Sequence, residues 1–172
     1  MKRIRSAVFL VILLAFAAGC GCGKEGTNAK EEKNVISVTG GEVKQGEEIT
    51  VYVHATDEIP VSAYGINVYY NTDELTFKEC GLTPEYEEAW QGLEISNDTP
   101  IEKGINSVIF VGVNTNEDQG RYQGDLYYIT YTATGESGTK AELTLDITNL
   151  EDLDGNDYLE EYTLKNGTIT IK

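Results

Sequence analysis

Val61 to Leu82 reads VSAYGINVYYNTDELTFKECGL, with Tyr64, Ile66, Val68 and Tyr70 spaced two residues apart before a polar turn and a second short apolar run. Side chains alternate between the two faces of a strand, so a period of two means one face packed on a core. The pattern recurs elsewhere. Ile49, Val51 and Val53 oppose Thr50, Tyr52 and His54, and Leu143, Leu145 and Ile147 oppose Thr144, Asp146 and Thr148. Gly, Asn and Asp clusters separate the runs, which is the punctuation of an all-β chain. Strands are expected at Val35–Thr39, Glu48–His54, Val61–Tyr70, Leu75–Glu79, Leu93–Ser96, Asn106–Val113, Asp125–Ala133, Glu142–Thr148 and Tyr162–Ile171, the last bent at Asn166-Gly167. Nine strands in so short a chain favour two packed sheets, a sandwich or jelly roll, over one open sheet. Pro84 to Trp90, PEYEEAW, is the one expected helical turn, with proline at its start.

One strand departs from alternation. In Ser107-Val108-Ile109-Phe110-Val111-Gly112-Val113 both faces are apolar: Val108, Phe110 and Gly112 can point inward while Ile109, Val111 and Val113 point outward. Either another part of the chain covers the second face, or the face awaits a protein partner.

The N-terminus bears on compartment. Lys2, Arg3 and Arg5 precede an apolar run from Ala7 to Ala18, the layout of an export signal and too short for a comfortable span. Ala17-Ala18-Gly19-Cys20 resembles the lipobox of bacterial lipoproteins, although that family more often has Leu where Ala17 stands. The resemblance implies removal of residues 1–19 and lipidation of Cys20, which would hold the protein on the extracellular face of the cell membrane. Ordinary cleavage with a free Cys20 is the alternative. Residues 20–34 have no apolar periodicity and read as a flexible tether of about 20 Å reach, and residues 35–172 as one domain. From residue 20 onward, 10 Lys and Arg stand against 29 Asp and Glu, a net charge of −19. That charge excludes nucleic acid and anionic lipid headgroups as partners, since both need a basic patch. Cys22 falls on the tether and Cys80 in the domain; a bridge between them is one option, and a buried Cys80 thiol the other.

Catalytic chemistry finds no footing. His54 has no second His or Cys nearby for a metal site and reads as solvated, and nothing like GxSxG marks a nucleophile. Glu151-Asp152-Leu153-Asp154-Gly155-Asn156-Asp157 partly matches a calcium loop, with Asp152, Asp154 and Glu161 at the third, fifth and twelfth positions. Leu150 at the first position offers no side-chain oxygen. A turn between two strands is the better reading, and no cofactor is expected.

With the strands laid out, Ile36 to Ile171 resembles the cohesin domain, a nine-stranded jelly-roll β-sandwich that binds dockerins in cellulosomes. Val43 to Val51 is similar to the family's opening strand. Gly65-Ile66-Asn67-Val68-Tyr69-Tyr70-Asn71-Thr72-Asp73-Glu74-Leu75-Thr76-Phe77 resembles its FxxxYDPxxLxF segment, with Asn71-Thr72 in place of Asp-Pro. Asn106–Val113 resembles its apolar central strand, Gly124–Ala133 its GxLxxIxFxx strand, and Asp154-Gly155-Asn156 with Thr163–Ile171 its DxxGN…NGxItI ending. The resemblance implies a non-catalytic monomer that holds a dockerin-bearing protein on a flat face. The residues it implicates are Ala63, Gly65, Asn67 and Tyr69 on one strand, Ile109, Val111 and Val113 on its neighbour, Asn114 at the strand end, and Tyr158 in a late loop. Calcium, if involved, would belong mainly to the dockerin. Type I cohesins commonly carry Asn and Asp where this chain has Ala63 and Gly65, so partner specificity is expected to differ. A carbohydrate-binding module on the same architecture is the alternative, and it would show a planar row of aromatics.

Overall fold

The computed structural model describes residues 34–60, 62–90, 92–114 and 121–172. The expected signal sequence, Cys20, Cys22 and the expected tether through Lys33 lie outside the described residues. One compact unit spans Glu32–Lys172, and the strand pairings and the hydrophobic core among the described residues lie inside it.

Two sheets face each other. The first runs in the order β10-β1-β3-β8-β5, from Thr163–Lys165, Val35–Val38, Glu48–Pro60, Arg121–Ala133 and Leu75–Leu82. The second runs β2-β11-β9-β4-β7-β6, from Gly41–Val43, Gly167–Ile171, Lys140–Glu151, Ala63–Asn71, Ile105–Asn114 and Gly92–Glu102. The expected helical turn is α1, Pro84–Ala89, capped by the Thr83 side chain. A 3-10 turn at Leu159–Glu161 precedes β10.

These eleven segments reduce to the nine expected strands, because β1 and β2 form one ribbon broken as it changes sheet, and so do β10 and β11. The two ribbons run parallel and switch together. Glycines stand at the crossing because backbone lies where side chains would be. A Cβ on Gly40 would sit 2.2 Å from the Thr168 carbonyl oxygen, and one on Gly167 2.6 Å from that of Thr39. The strand Gly41–Val43 was not expected, since three residues are too few to show alternation.

The core is aromatic where the sheets meet α1. Tyr127 on β8 stacks on Phe110 of β7 (centroids 4.0 Å apart, planes at 28°) and meets Tyr64 and Tyr86 edge-on. Its hydroxyl donates to that of Tyr64, whose phenol burial pushes up to about 12. Trp90, just past α1, packs on Tyr64 and Tyr86. Deeper in the sandwich Tyr70 packs on Tyr131 and donates its O–H to Asp98 at 2.9 Å.

Gly112 makes this packing possible: a Cβ there would lie 2.1 Å from the Tyr64 hydroxyl oxygen. Gly112→Ala is therefore expected to cost about 1–3 kcal/mol by overpacking, read as a lower urea midpoint for residues 32–172. An unchanged midpoint would show that Tyr64 has room to move.

Candidate protein-docking face

Strands β9, β4, β7 and β6 carry side chains outward in register, and cross-strand neighbours form rows. The first row is Glu151, Ala63, Val113, Leu93; the second Asn149, Gly65, Val111, Ile95; the third Asp146, Asn67, Ile109, Asn97. A fourth joins Thr144, Tyr69, Ser107 and Thr99. The inner face of the same strands holds Tyr64, Ile66, Val68, Tyr70, Val108 and Phe110, all buried.

At the Ala63 end the face is apolar. Leu93 is 74% exposed, Ile95 71%, Val113 52% and Val111 46%. The outward turn expected of Val111 and Val113 is what the structure has, with Ile109 half-buried beside them. The resemblance places the Leu93–Ser96 strand in the face without singling out Leu93 and Ile95 as contact residues. Their strand alternates Leu93-Glu94-Ile95-Ser96, which normally puts the aliphatics inside. Here β6 is the sheet edge, and its inner side meets the polar seam beside β5. Asp98 accepts there from Tyr70 and from Asn106 (both 2.9 Å), and burial pushes the Glu94 carboxyl up. The free Cys80 thiol is half-buried on β5, and burial pushes it up too.

Ala63, Asn67 and Tyr69 are half-buried on β4, and Asn67 Nδ2 lies 3.4 Å from Asp146 Oδ2 as a donor. Gly65, expected to lie open, is buried. A bulge in β9 sets Thr148 and Asn149 opposite it, and a Cβ on Gly65 would meet their oxygens at 2.3 and 2.9 Å. Asn114 also departs from expectation: it is 6% exposed, with its backbone N–H bonded to the Ser62 carbonyl at 2.7 Å. Tyr158 turns to the loop beyond β9 rather than to the face. It packs against the core and donates its hydroxyl to Asp152 Oδ2 at 3.0 Å.

Asp152 organises that loop. Its Oδ1 accepts from the backbone N–H groups of Asp154 and Asn156, both at 2.9 Å, and its Oδ2 from the Asn156 side chain and Tyr158. The carboxylate faces its own loop, as in a turn. No group of His, Cys, Asp and Glu among the described residues is arranged to hold a metal ion. His54 is not simply solvated; its Nδ1 lies 2.7 Å from Asp125 Oδ1 on the neighbouring strand. Of the aromatic residues that could form a sugar platform, Trp90, Tyr64, Tyr70, Tyr86, Tyr127 and Tyr131 are buried, and Tyr52 and Tyr128 stand as cross-strand neighbours on the other sheet.

A family model for the cohesin domain matches residues 34–171. The chain belongs to the cohesin family. Cohesins are non-catalytic protein-binding modules, and cohesin domains bind dockerins. Among solved structures the chain is similar to a non-cellulosomal cohesin from the archaeon Archaeoglobus fulgidus, at 21% identity and a TM-score of 0.58, over 82% of this chain and 92% of that one. It is also similar to the OlpA cohesin of Clostridium thermocellum, solved in a type I cohesin–dockerin complex, at 15% identity and a TM-score of 0.64, over 82% and 100%. The sixth cohesin of Acetivibrio cellulolyticus scaffoldin B, solved with a Cel5 dockerin, gives 15%, 0.63, 82% and 100%. At such identities the likeness is one of fold. No curated protein matches the chain.

Hydrogen bonds from Asn156, Tyr158 and the backbone hold the Asp152 carboxyl below its ordinary value of 3.8. A lowered folded pKa contributes stability that is present above the unfolded value and is lost as pH falls through the folded one. The urea midpoint should therefore drop less steeply between about pH 5 and about pH 2 in Asp152→Asn than in the parent. Parallel curves would show that the carboxylate does not hold the loop.

Proposed function

We propose that this cohesin domain is exported, carries a lipid on Cys20, and as a monomer holds a dockerin-bearing protein at the extracellular face of the cell membrane. The outer face of β9-β4-β7-β6 makes the contact. The observation that carries this reading is the aliphatic patch of Leu93, Ile95, Val111 and Val113, adjacent in register and half to three-quarters exposed on a rigid sheet. Covering each of these side chains is worth roughly 1–2 kcal/mol at about 25 cal/mol per Å². Isolated surface aliphatics need no explanation; four in adjoining rows match the apolar centre of an interface. Anchoring is supported by the Ala17-Ala18-Gly19-Cys20 sequence after its basic and apolar segments. Two acyl chains on the cysteine would supply the double signal that stable anchoring requires.

Immobilised residues 32–172 incubated with the secretome of the source organism should capture a dockerin protein, released by EDTA because the calcium belongs to the dockerin. Retention of polysaccharide alone would contradict the proposal. Val111→Asp should weaken capture about 30-fold, as loss of a hot-spot side chain of roughly 2 kcal/mol would. Its stability should stay within about 0.5 kcal/mol of the parent because the side chain faces solvent. Loss of folding would instead make this face part of the core. In cells, Cys20→Ser should move the full-length protein from the membrane fraction to the soluble one, and an unchanged distribution would contradict lipid anchoring.

A further inference from the structure

The other sheet also turns an outer surface to solvent, and its chemistry is different. On β3 the outward side chains are Glu48, Thr50, Tyr52 and His54; on β8 they are Thr132, Thr130, Tyr128 and Asp125, paired with the first set in that order. Beyond β8, β5 brings Thr76, Glu79 and Gly81 opposite Thr132, Thr130 and Tyr128. The central row is therefore Tyr52, Tyr128, Gly81. A Cβ on Gly81 would lie 3.1 Å from both Cε1 and the hydroxyl oxygen of Tyr128, so the phenol leans across β5 into the space a side chain there would fill. Tyr52 is 36% exposed. At about 4.8 Å between neighbouring strands, the row spans roughly 10 Å.

Hydrogen-bonding groups border this row on both sides. In the row before it the Thr50 and Thr130 hydroxyls lie 3.0 Å apart, and in the row after it His54 Nδ1 lies 2.7 Å from Asp125 Oδ1. Charge nearly balances. Glu48, Glu79 and Asp125 stand against Lys78, whose Nζ is 3.5 Å from Glu48, and Lys165, which follows Ser37 in the row of His54. In a chain with 29 Asp and Glu against 13 Lys and Arg, such a face offers little local charge to a ligand of either sign. Its rows also hold no aliphatic side chain, in contrast to the docking face.

An uncharged sugar chain matches this combination. Pyranose rings joined by equatorial β-1,4 bonds extend as a ribbon, with C–H groups on the broad faces and hydroxyls along the edges. The broad faces suit phenol rings, and the edges suit the hydroxyl, imidazole and carboxylate groups of the flanking rows. We propose that the outer face of β3-β8-β5 binds an uncharged, extended β-1,4-linked polysaccharide, with Tyr52 and Tyr128 as the stacking residues. Thr50, His54 and Asp125 orient the chain through its hydroxyls. The site lies on the sheet opposite the docking face and does not rest on the docking role, so a sugar chain and a protein partner can be held together.

The test titrates 15N-labelled residues 32–172 with a β-1,4-linked glucose hexamer and, separately, with its α-1,4-linked isomer, which coils. The β-linked chain should shift the amides of Tyr52, Tyr128 and Gly81 saturably and bind more tightly than the isomer. Its affinity should be the same at about 50 and about 500 mM salt, because the ligand is uncharged. Tyr52→Ala should weaken it about tenfold, as loss of an aromatic anchor would, while the urea midpoint and dockerin capture stay as in the parent. The shift map of the parent protein decides the matter even if Tyr52→Ala loses stability. Absent shifts, shifts confined to other strands, equal affinity for the isomer, steep salt dependence, or unchanged binding by folded Tyr52→Ala would overturn the inference.

Discussion

Tyr127 is the side chain on which the two sheets depend. It leaves β8 in one sheet, lies against Phe110 of the other, meets Tyr64 and Tyr86 edge-on, and donates its only proton to the Tyr64 hydroxyl. Aromatic contacts of this kind add about 0.5–1.5 kcal/mol each beyond the area they bury. With the Tyr127 proton given to the Tyr64 hydroxyl inside the cluster, β4 and β7 are held from beneath. The contact between the two sheets is therefore made by their inner side chains. This is how one strand can be apolar on both faces: Val108 and Phe110 stabilise the fold, and Val111 and Val113 stay exposed.

The edge strand β6 completes that arrangement by inverting the usual pattern. Its carboxylates turn inward to a seam where Tyr70 and Asn106 give Asp98 its hydrogen bonds, and its aliphatics turn outward. An edge strand with exposed Leu93 and Ile95 is an association hazard. The strong acid excess of the chain opposes self-association while leaving a basic partner free to bind. Cohesin domains share a fold across low identity, so the choice of partner falls to such surface details. On the face proposed to dock a partner, those details are the aliphatic patch, the acids of β9, and the absence of polar side chains at positions 63 and 65.

Much of the architecture could be read from local pattern. Alternation located the long strands, proline placed α1, and the apolar duplicity of residues 107–113 pointed to an outer face before any sheet order was known. What escaped reading was set by non-local contacts. Gly65 is covered because a bulge forms eighty residues later in sequence, at Thr148 and Asn149. Asn114 is buried because its strand end is tied to Ser62. The outward turn of Leu93 and Ile95 was not read, because alternation gives the period of a strand but not which side of it faces the core. Tyr158 is held in the loop by Asp152, an acid whose segment already read better as a turn than as a calcium loop.

The central claim is that partners meet the β9-β4-β7-β6 face and leave the opposite sheet in solvent. Hydroxyl-radical footprinting of residues 32–172, free and with a captured dockerin bound, reads it directly from side-chain oxidation. The account predicts strong protection of Leu93, Ile95 and Val111, with Tyr52 on the outer side of β3 oxidised equally in both states. Protection of Tyr52 with Leu93 and Ile95 unchanged would contradict it.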